Sequence, residues 1–217
     1  MTFAEILLQL LKGAGYTIVV TLVCSLTGVL AGLLAIGIRV GTPIASPLVD
    51  LYAYIYRGTP LLVMLFLIYF GLPGIGFKVD PLTAMALSLG LIAGANLSEV
   101  FRGALGSVSQ SEILAAQAMG FKRYQILLYI EFPQMLRFSL PGMINEFTTV
   151  LKYSPFAYTV GIPEITKQAM ALSAVTLKGV EIYFGIGILY FLIYRIFLFF
   201  ADIIKSHYAI PENVTAC

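Results

Sequence analysis

The chain has 217 residues, of which 59% are hydrophobic and only 11% are charged, and its mean hydropathy is +0.94. A water-soluble domain is usually about half apolar and about one quarter charged. The composition therefore excludes an ordinary soluble protein and indicates an integral membrane protein. The formal net charge of +2 is too small to indicate a nucleic-acid-binding protein.

The two cysteines do not predict a disulfide framework, because Cys24 lies in an apolar run and Cys217 is the last residue. The N-terminus has neither a basic n-region nor a small-residue cleavage site, so we expect no removable signal peptide. Residues 1–12 have apolar side chains at helical spacing, and Gly13 and Gly15 follow. This pattern predicts a short helix in the membrane interface that ends at the glycines, with a flexible tail as the alternative.

Five further apolar segments can each cross roughly 30 Å of hydrocarbon. They predict an all-α integral membrane protein with five transmembrane helices in a single domain, residues 1–217. The predicted spans are residues 16–38, 48–72, 81–103, 140–161 and 181–204. Residues 163–180 are expected to form a connection with a short helix from Glu164, and residues 207–217 to form a coil.

Glycine and proline mark two of these spans. Gly28, Gly32 and Gly37 in the first span permit a neighbouring helix to approach closely. In the second span, Gly58 and Pro60 predict a kink or a re-entrant path, because proline removes a helical hydrogen bond.

Residues 107–133 form a more polar helical stretch outside the bilayer. Its small residues, Ala115, Ala116 and Ala118, would allow another surface to come close. Gly120 can adopt the left-handed conformation that ends a helix. A second helical run, residues 124–132, then leads to Pro133 and back into the membrane. An ordinary amphipathic loop is the alternative interpretation of this stretch.

The basic residues are unevenly distributed between the two sides of the membrane. If the chain crosses the membrane five times, the side of the 107–133 loop holds Arg39, Arg57, Arg102, Lys122, Arg123, Arg137, Arg195 and Lys205. The other side holds Lys12, Lys78, Lys167 and Lys178. Since basic residues favour the cytoplasmic side, this bias predicts a cytoplasmic loop, an external N-terminus and a cytoplasmic C-terminus.

The spacing of the loop carries a family resemblance. Ala115 and Ala116 are followed by three residues and Gly120, and then by nine residues, Ile130 and Pro133. This arrangement resembles the Glu-Ala-Ala loop of ATP-binding-cassette (ABC) importer permeases, although Leu114 stands where that family has Glu and Phe132 where it has Leu. The resemblance implies that the loop is a coupling helix that contacts an ATPase, through Leu114, Ala115, Ala116, Met119, Gly120, Phe121, Lys122 and Arg123.

Other stretches extend the resemblance over nearly the whole chain. RGTPLL at residues 57–62, FLIYFGL at 66–72, NLSEVFRG at 96–103 and VGIPE at 160–164 resemble the permeases of the polar amino acid uptake family, of the histidine, glutamine, arginine and cystine type, with a MetI-like transmembrane domain. The resemblance implies the type I ABC importer permease fold and amino acids as substrates. Two departures are Tyr153-Ser154-Pro155, where the family usually has an acidic residue and Thr-Ser, and Met64, where glutamine is common.

Ionisable residues inside spans are costly and usually face a cavity or a partner. We therefore expect a substrate pathway formed by Arg57, Thr59, Met64, Asn145, Glu146, Lys152 and Ser154. The alternative is that Glu146 and Lys152 pair with other helices in packing. Glu99 and Arg102, three residues apart, are expected to form a structural pair, and an Arg57–Glu99 pair across helices remains open.

The sequence contains no motif for catalysis by this chain. It has no phosphate-binding loop of the type G-x-x-x-x-G-K-[ST], and its one histidine, His207, has no metal-ligand partner at a recognisable spacing. The energy must then come from another chain, so we expect no cofactor here, and ATP and Mg²⁺ on a partner ATPase.

The expected function is that of a permease subunit in the bacterial inner membrane, which imports amino acids by alternating access. The resemblance implies an ABC ATPase dimer, a second permease subunit, alike or homologous, and an extracytoplasmic amino-acid-binding protein as partners within the lipid bilayer, and no nucleic acid. A secondary carrier or channel for small polar solutes is the alternative, although the sequence shows no inverted repeat. A membrane-embedded enzyme would need a polar catalytic cluster that the sequence does not contain.

Overall fold

The computed structural model describes the backbone of residues 3–208 and the side chains of residues 8–42 and 44–207. This part of the chain is helical between short turns, which confirms the all-α prediction. The helices are α1 (Phe3–Gly41), α2 (Ser46–Gly58), α3 (Leu61–Phe66), α4 (Pro81–Met85), α5 (Leu91–Gly106), α6 (Gln110–Ala118), α7 (Arg123–Ile126), α8 (Phe132–Tyr153), α9 (Ile165–Thr176) and α10 (Gly179–Tyr208). π-helical turns follow α3 (Leu67–Gly71), α4 (Ala86–Gly90) and α7 (Leu127–Glu131), and 3₁₀ turns are Pro43–Ala45, Leu72–Ile75 and Ser154–Val160.

Three helical segments of the described chain are long and apolar enough to cross a membrane: Leu8–Gly41, Pro81–Gly106 and Gly179–His207. A fourth forms if the bent pair Ser46–Gly58 and Leu61–Ile75 is taken as one span. The predicted span 140–161 is not among them. The predicted span begins inside α8, which itself starts at Phe132, and it reaches into the 3₁₀ turn that follows α8. α8 also carries more polar and charged residues than the other segments.

The predicted break at Gly13 and Gly15 is wrong, because α1 continues through both glycines. Residues 3–12 of the expected interfacial helix are therefore the N-terminal part of α1, and residues 1–2 lie outside the described residues. The physical reason is contact with α9. A Cβ atom on Gly13 would lie 2.8 Å from the Cα atom of Ile165, so this glycine allows two backbones to touch and does not end a helix.

α1 and α5 pack against each other through small residues on both helices. A Cβ atom on Gly94 would lie 2.6 Å from the Cβ atom of Ala31, and one on Gly28 would lie 2.9 Å from that of Ala93. Gly32 has a similar contact with α5, whereas Gly37 has no such neighbour within 4 Å. The predicted close approach is thus confirmed at two of the three glycines. In lipid, such packing contributes much of helix association.

The second predicted span is broken as its sequence indicates. α2 meets the segment Leu61–Ile75, which begins with α3, at an angle of 105°. Thr59, the residue before Pro60, has the extended conformation (φ −102°, ψ 131°), because the proline ring disfavours helical geometry in the preceding residue. The Thr59 hydroxyl donates a hydrogen bond to the Ile55 carbonyl at 2.7 Å, which satisfies a carbonyl group at the end of α2.

The core is divided along the molecule. The largest buried cluster joins α1, α3, α4, α5 and α8 with the 3₁₀ turn after α8. A second cluster holds the N-terminal part of α1 against α9 and α10, and a third joins α1, α5 and α8 at the opposite end. Most large apolar side chains of α10 are exposed, among them Phe184, Phe191 and Phe199. An apolar helix with so exposed a surface is suited to contact with lipid.

Glu164 fixes the start of α9, where the sequence predicts a short helix. Its carboxylate accepts hydrogen bonds from the backbone N–H groups of Thr166 (2.7 Å) and Lys167 (2.8 Å) and from the Tyr190 hydroxyl of α10 (2.8 Å). Glu164 is completely buried, and this burial raises the pKa of its carboxyl group. The residue therefore caps α9 and ties it to α10.

The C-terminal end differs from the prediction. α10 extends to Tyr208, so His207, expected in a coil, is helical. The backbone of Tyr208 is helical as well, and residues 209–217 of that predicted coil lie outside the described residues.

A Gly94→Ala substitution tests the packing of α1 on α5. We expect it to destabilise the protein by about 1–3 kcal/mol, because the added methyl group overlaps Ala31. The matched control is Gly187→Ala on α10, where the space around the new methyl group is open within 4 Å. The control should be neutral or stabilising, since alanine favours helices. Thermal unfolding in detergent measures both, and an equal midpoint for the two variants would contradict this packing.

Candidate coupling surface and translocation cavity

The end of α6 is set by Gly120. This residue has φ +84°, and the two hydrogen bonds expected of a Schellman motif are present. The Gly120 N–H donates to the Gln117 carbonyl at 2.9 Å, and the Phe121 N–H donates to the Ala116 carbonyl at 3.1 Å. The prediction that Gly120 ends this helix in a left-handed conformation is confirmed.

α6 has a buried face and an exposed face. Ile113 and Ala116 are buried, and they pack with Val108 of the preceding turn and Ile126 of α7. The other residues of the expected coupling surface are exposed: Leu114, Ala115, Met119, Gly120, Phe121, Lys122 and Arg123. Leu114 is 62% exposed and Met119 is 76% exposed. The surface that α6 offers to a partner is thus largely apolar, and Ala116 supports it from inside.

Most charges near α6 have partners within the chain. Glu112 accepts a hydrogen bond from the Gln134 amide at 2.5 Å. Arg123 forms an ion pair of 2.6 Å with Glu131, which is buried. Lys122 is exposed and makes no ion pair within the described part of the chain. Glu112 is therefore engaged elsewhere and does not replace the acidic side chain that is missing at Leu114.

The helical run expected to lead to Pro133 and back to the membrane continues through this proline without interruption. α7, the π-helical turn Leu127–Glu131 and α8 follow one another directly. Proline lacks the N–H that would close a helical hydrogen bond, and the wider π turn just before it changes the hydrogen-bonding pattern where that bond is lost. The return to the membrane is thus one continuous helical path.

An open cavity of about 650 Å³ lies between α2 and α5. Its walls combine acidic, basic and amide side chains with small and aromatic ones. The lining residues are Asp50, Ala53, Tyr54, Arg57, Gly58, Asn96, Glu99 and Arg102. Since Pro81–Gly106 is one of the apolar spans, such a polar wall marks a place for a polar solute or for water.

Four charges at one end of this cavity form a network. Arg39 of α1 forms ion pairs with Asp50 of α2 and, at 3.2 Å, with Glu99 of α5. Glu99 also accepts a hydrogen bond of 2.9 Å from the Nε atom of Arg102. The expected Glu99–Arg102 pair is thus confirmed. The open Arg57–Glu99 alternative is not formed within the described residues.

Glu146 of α8 lies beside the cavity wall. It is 8% exposed, and the Asn96 amide donates a hydrogen bond to it at 3.0 Å. Arg57 is close enough to interact electrostatically with Glu146. The structure therefore places Arg57 and Glu146, two of the predicted pathway residues, near each other at this cavity.

The other predicted pathway residues lie elsewhere. Lys152 stands 5.4 Å from the centre of the Tyr194 ring and lines a separate cavity of about 410 Å³ between α8 and α10. Met64 is buried in the largest core cluster. Ser154 is buried and donates a hydrogen bond to the Leu151 carbonyl at 2.8 Å. Asn145 is exposed on α8, and Thr59 is partly exposed at the bend after α2.

Sequence reasoning missed Asp50, Tyr54 and Asn96 as cavity residues. A signal was present, because polar residues recur at helical spacing on both walls. Positions 50, 54 and 57 share one face of α2, and positions 96, 99 and 102 share one face of α5. Without knowing that α2 lies against α5, the two stripes could not be combined into one site.

The fold and the site define a membrane-embedded, all-helical transport subunit. Residues 25–209 match the family described as "Binding-protein-dependent transport system inner membrane component". Because the match covers most of the chain, this protein belongs to that family. It is a multi-pass inner-membrane protein and a transport subunit.

Individual relatives agree with this assignment. The chain is 34% identical over 167 residues to the probable amino-acid permease protein YxeN of Bacillus subtilis, covering 76% of this chain and 75% of that protein. It is 35% identical over 152 residues to the histidine/lysine/arginine/ornithine transport system permease protein HisQ of Escherichia coli, covering 64% and 66%.

Solved structures share the fold. An amino acid ABC transporter crystallised with histidines superposes with a TM-score of 0.87 at 28% identity, over 95% of this chain and 100% of that one. The inward-facing MetNI methionine ABC transporter superposes with a TM-score of 0.76 at 20% identity, over 97% and 100%. The second likeness concerns the fold alone.

A Gly120→Val substitution tests the conformation of this turn. A β-branched residue at φ +84° costs about 1–2 kcal/mol, so we expect α6 to fray at its C-terminal end. Hydrogen–deuterium exchange of residues 110–118 should increase severalfold. The control is Gly106→Val at the end of α5, where the space is open within 4 Å and φ is not positive. Unchanged exchange in the Gly120 variant would refute the strained-cap account.

Proposed function

We propose that this chain is the permease subunit of an ABC importer that carries amino acids into the cytoplasm. The observation that carries the proposal is the polar cavity between α2 and α5, which has side chains of both charge signs inside a membrane-spanning region. An amino acid is a zwitterion and needs a group of each sign. The names of the relatives, which include a permease for histidine, lysine, arginine and ornithine, support this substrate class.

Arg57 and Glu146 are the proposed contacts for the two charges of the substrate. Arg57 lines the cavity and makes no ion pair within the described residues, so its guanidinium is available to a carboxylate. Glu146 is held by Asn96 at the cavity wall and is available to an ammonium group after a small side-chain movement. Thr59, Met64, Asn145, Lys152 and Ser154 remain proposed pathway residues, which lie outside this pair.

The exposed face of α6 is the proposed contact to the ATPase. Its apolar side chains, above all Leu114, Met119 and Phe121, suit a partner groove that buries them, and burial of apolar area drives such association. The connection from Arg123 to Tyr153 is helical throughout. α6 packs on the start of this path, since Ile113 belongs to the buried cluster that contains Ile126 of α7. A displacement of α6 would thus reach Glu146 at the cavity through packed helices, as alternating access requires.

The proposed assembly has further partners. An ABC ATPase dimer would bind and hydrolyse ATP with Mg²⁺, a second permease subunit would complete the pathway, and an extracytoplasmic binding protein would deliver the amino acid. The N-terminus would lie outside and the C-terminus in the cytoplasm, as the distribution of basic residues favours. The two conformations need differ by only a few kcal/mol for ATP to switch them.

A secondary carrier is the second candidate, favoured only by the charged cavity itself. Co-purification with a tag on this chain separates the two, since only the importer requires a soluble ATPase in stoichiometric complex. The complex would then be reconstituted in proteoliposomes and assayed for ATP-dependent uptake of labelled amino acids. A tagged chain that purifies intact, without an ATPase, and still transports would contradict the proposal.

In the same assay, the complex with the Gly120→Val substitution should hydrolyse ATP with little uptake.

A Glu146→Gln substitution should lower uptake by about tenfold or more while leaving the ATPase complex intact. The amide keeps the size of the side chain and its contact with Asn96, but it removes the negative charge offered to the substrate ammonium. The matched control is Glu181→Gln, an exposed residue on α10 paired with Lys178, which should transport normally. Full uptake in the Glu146 variant would remove this residue from the pathway.

A further inference from the structure

The cavity between α2 and α5 has a charge balance that depends on a residue outside it. Its walls carry two acids, Asp50 and Glu99, and two arginines, Arg57 and Arg102. Arg102 engages one oxygen of Glu99. Without a cation from outside the lining, the carboxylate of Asp50, whose side chain is 62% exposed, would be unpaired.

Arg39 neutralises these acids from behind the wall. It belongs to α1, is not among the lining residues, and its side chain is only 15% exposed. One guanidinium nitrogen reaches Asp50 and another reaches Glu99 at 3.2 Å. A single, partly buried cation thus bridges α2 and α5 and compensates the acid on each helix.

As a result, Arg57 is the one arginine of the cavity wall that makes no ion pair with another described residue. Arg57 is exposed to the cavity, and it interacts electrostatically with the largely buried Glu146. A ligand that enters therefore meets one guanidinium that makes no ion pair among the described residues, and two acids that are already paired. Such a field favours carboxylates and disfavours an additional positive charge.

We propose that Arg39 is a positioning residue that sets the charge preference of this cavity, by pairing Asp50 and Glu99 so that cationic amino acid side chains bind poorly. This inference rests on the proposed function and deepens it, because it concerns which amino acids the cavity accepts. Its loss would leave the Asp50 carboxylate without its ion pair and facing the ligand. Even at the permittivity of bulk water, one unit charge about 4 Å away changes the affinity for a charged group by about fivefold, and the effect grows as water is excluded.

The test is a pair of charge changes with opposite expected signs. Arg39→Gln should raise the affinity for lysine relative to glutamate by about five- to tenfold, and Asp50→Asn should lower that ratio. The double variant should return close to the wild-type ratio. A merely structural role would weaken the binding of all ligands together and would not reverse sign between the two variants.

Binding is measured on the complex purified through a tag on this chain, with labelled cationic, uncharged and acidic amino acids in a scintillation proximity assay. The extracytoplasmic partner is left out, so that its own selectivity does not enter. The matched control is Arg195→Gln, which removes an exposed charge from α10 away from the cavity and should leave the ratio unchanged.

The outcomes separate the two proposals. If the wild-type complex binds amino acids but the lysine-to-glutamate ratio is unchanged in Arg39→Gln, or moves in the same direction in both single variants, the role of Arg39 is overturned while the proposed function stands. If the wild-type complex binds no amino acid of any class, the proposed function fails and the role of Arg39 fails with it.

Discussion

The contact of α1 with α5 is the constraint on which the rest of the molecule depends. Glycines on both helices bring the two backbones together, and the remaining elements attach to this pair. α2 is held by Arg39 from α1 and by the Tyr52 hydroxyl, which donates to the Leu91 carbonyl of α5 at 2.6 Å. α8 approaches α5 where Gly142 meets Val100. In a membrane, where lipid competes for every apolar surface, such steric fit decides which helices neighbour each other.

The same constraint explains where the polar residues are. A polar side chain inside a span must face a partner or water, and α2 is too short and too strongly bent from α3 to cover α5 completely. The open cavity that remains between α2 and α5 is lined by ion-paired side chains. The cavity is thus a consequence of the break at Thr59 and Pro60, and its charges are placed there by helical periodicity on each side.

Much of this arrangement could be predicted from the sequence because it depends on local rules. The left-handed glycine at position 120, the extended residue before Pro60 and the helix after Glu164 follow from the stereochemistry of single residues. The break expected at Gly13 did not occur, because a glycine in a helix serves equally well for close contact, and the deciding neighbour, Ile165, is 152 positions away. Likewise, nothing local says that Arg39 reaches Asp50 and Glu99, or that Lys152 turns to Tyr194.

The π-helical turn at Leu127–Glu131 has a geometric consequence for all that follows it. Such a turn holds one residue more than an α-helical turn, and each residue of a helix rotates the next by about 100°. The turn therefore sets the rotation of all of α8 about its own axis. Removal of a single residue there would restore regular winding and swing Glu146 away from Asn96 by more than a quarter of a revolution. The direction in which a carboxylate beside the cavity points is thus fixed fifteen or more positions earlier in the chain, in the π-helical turn that follows α7.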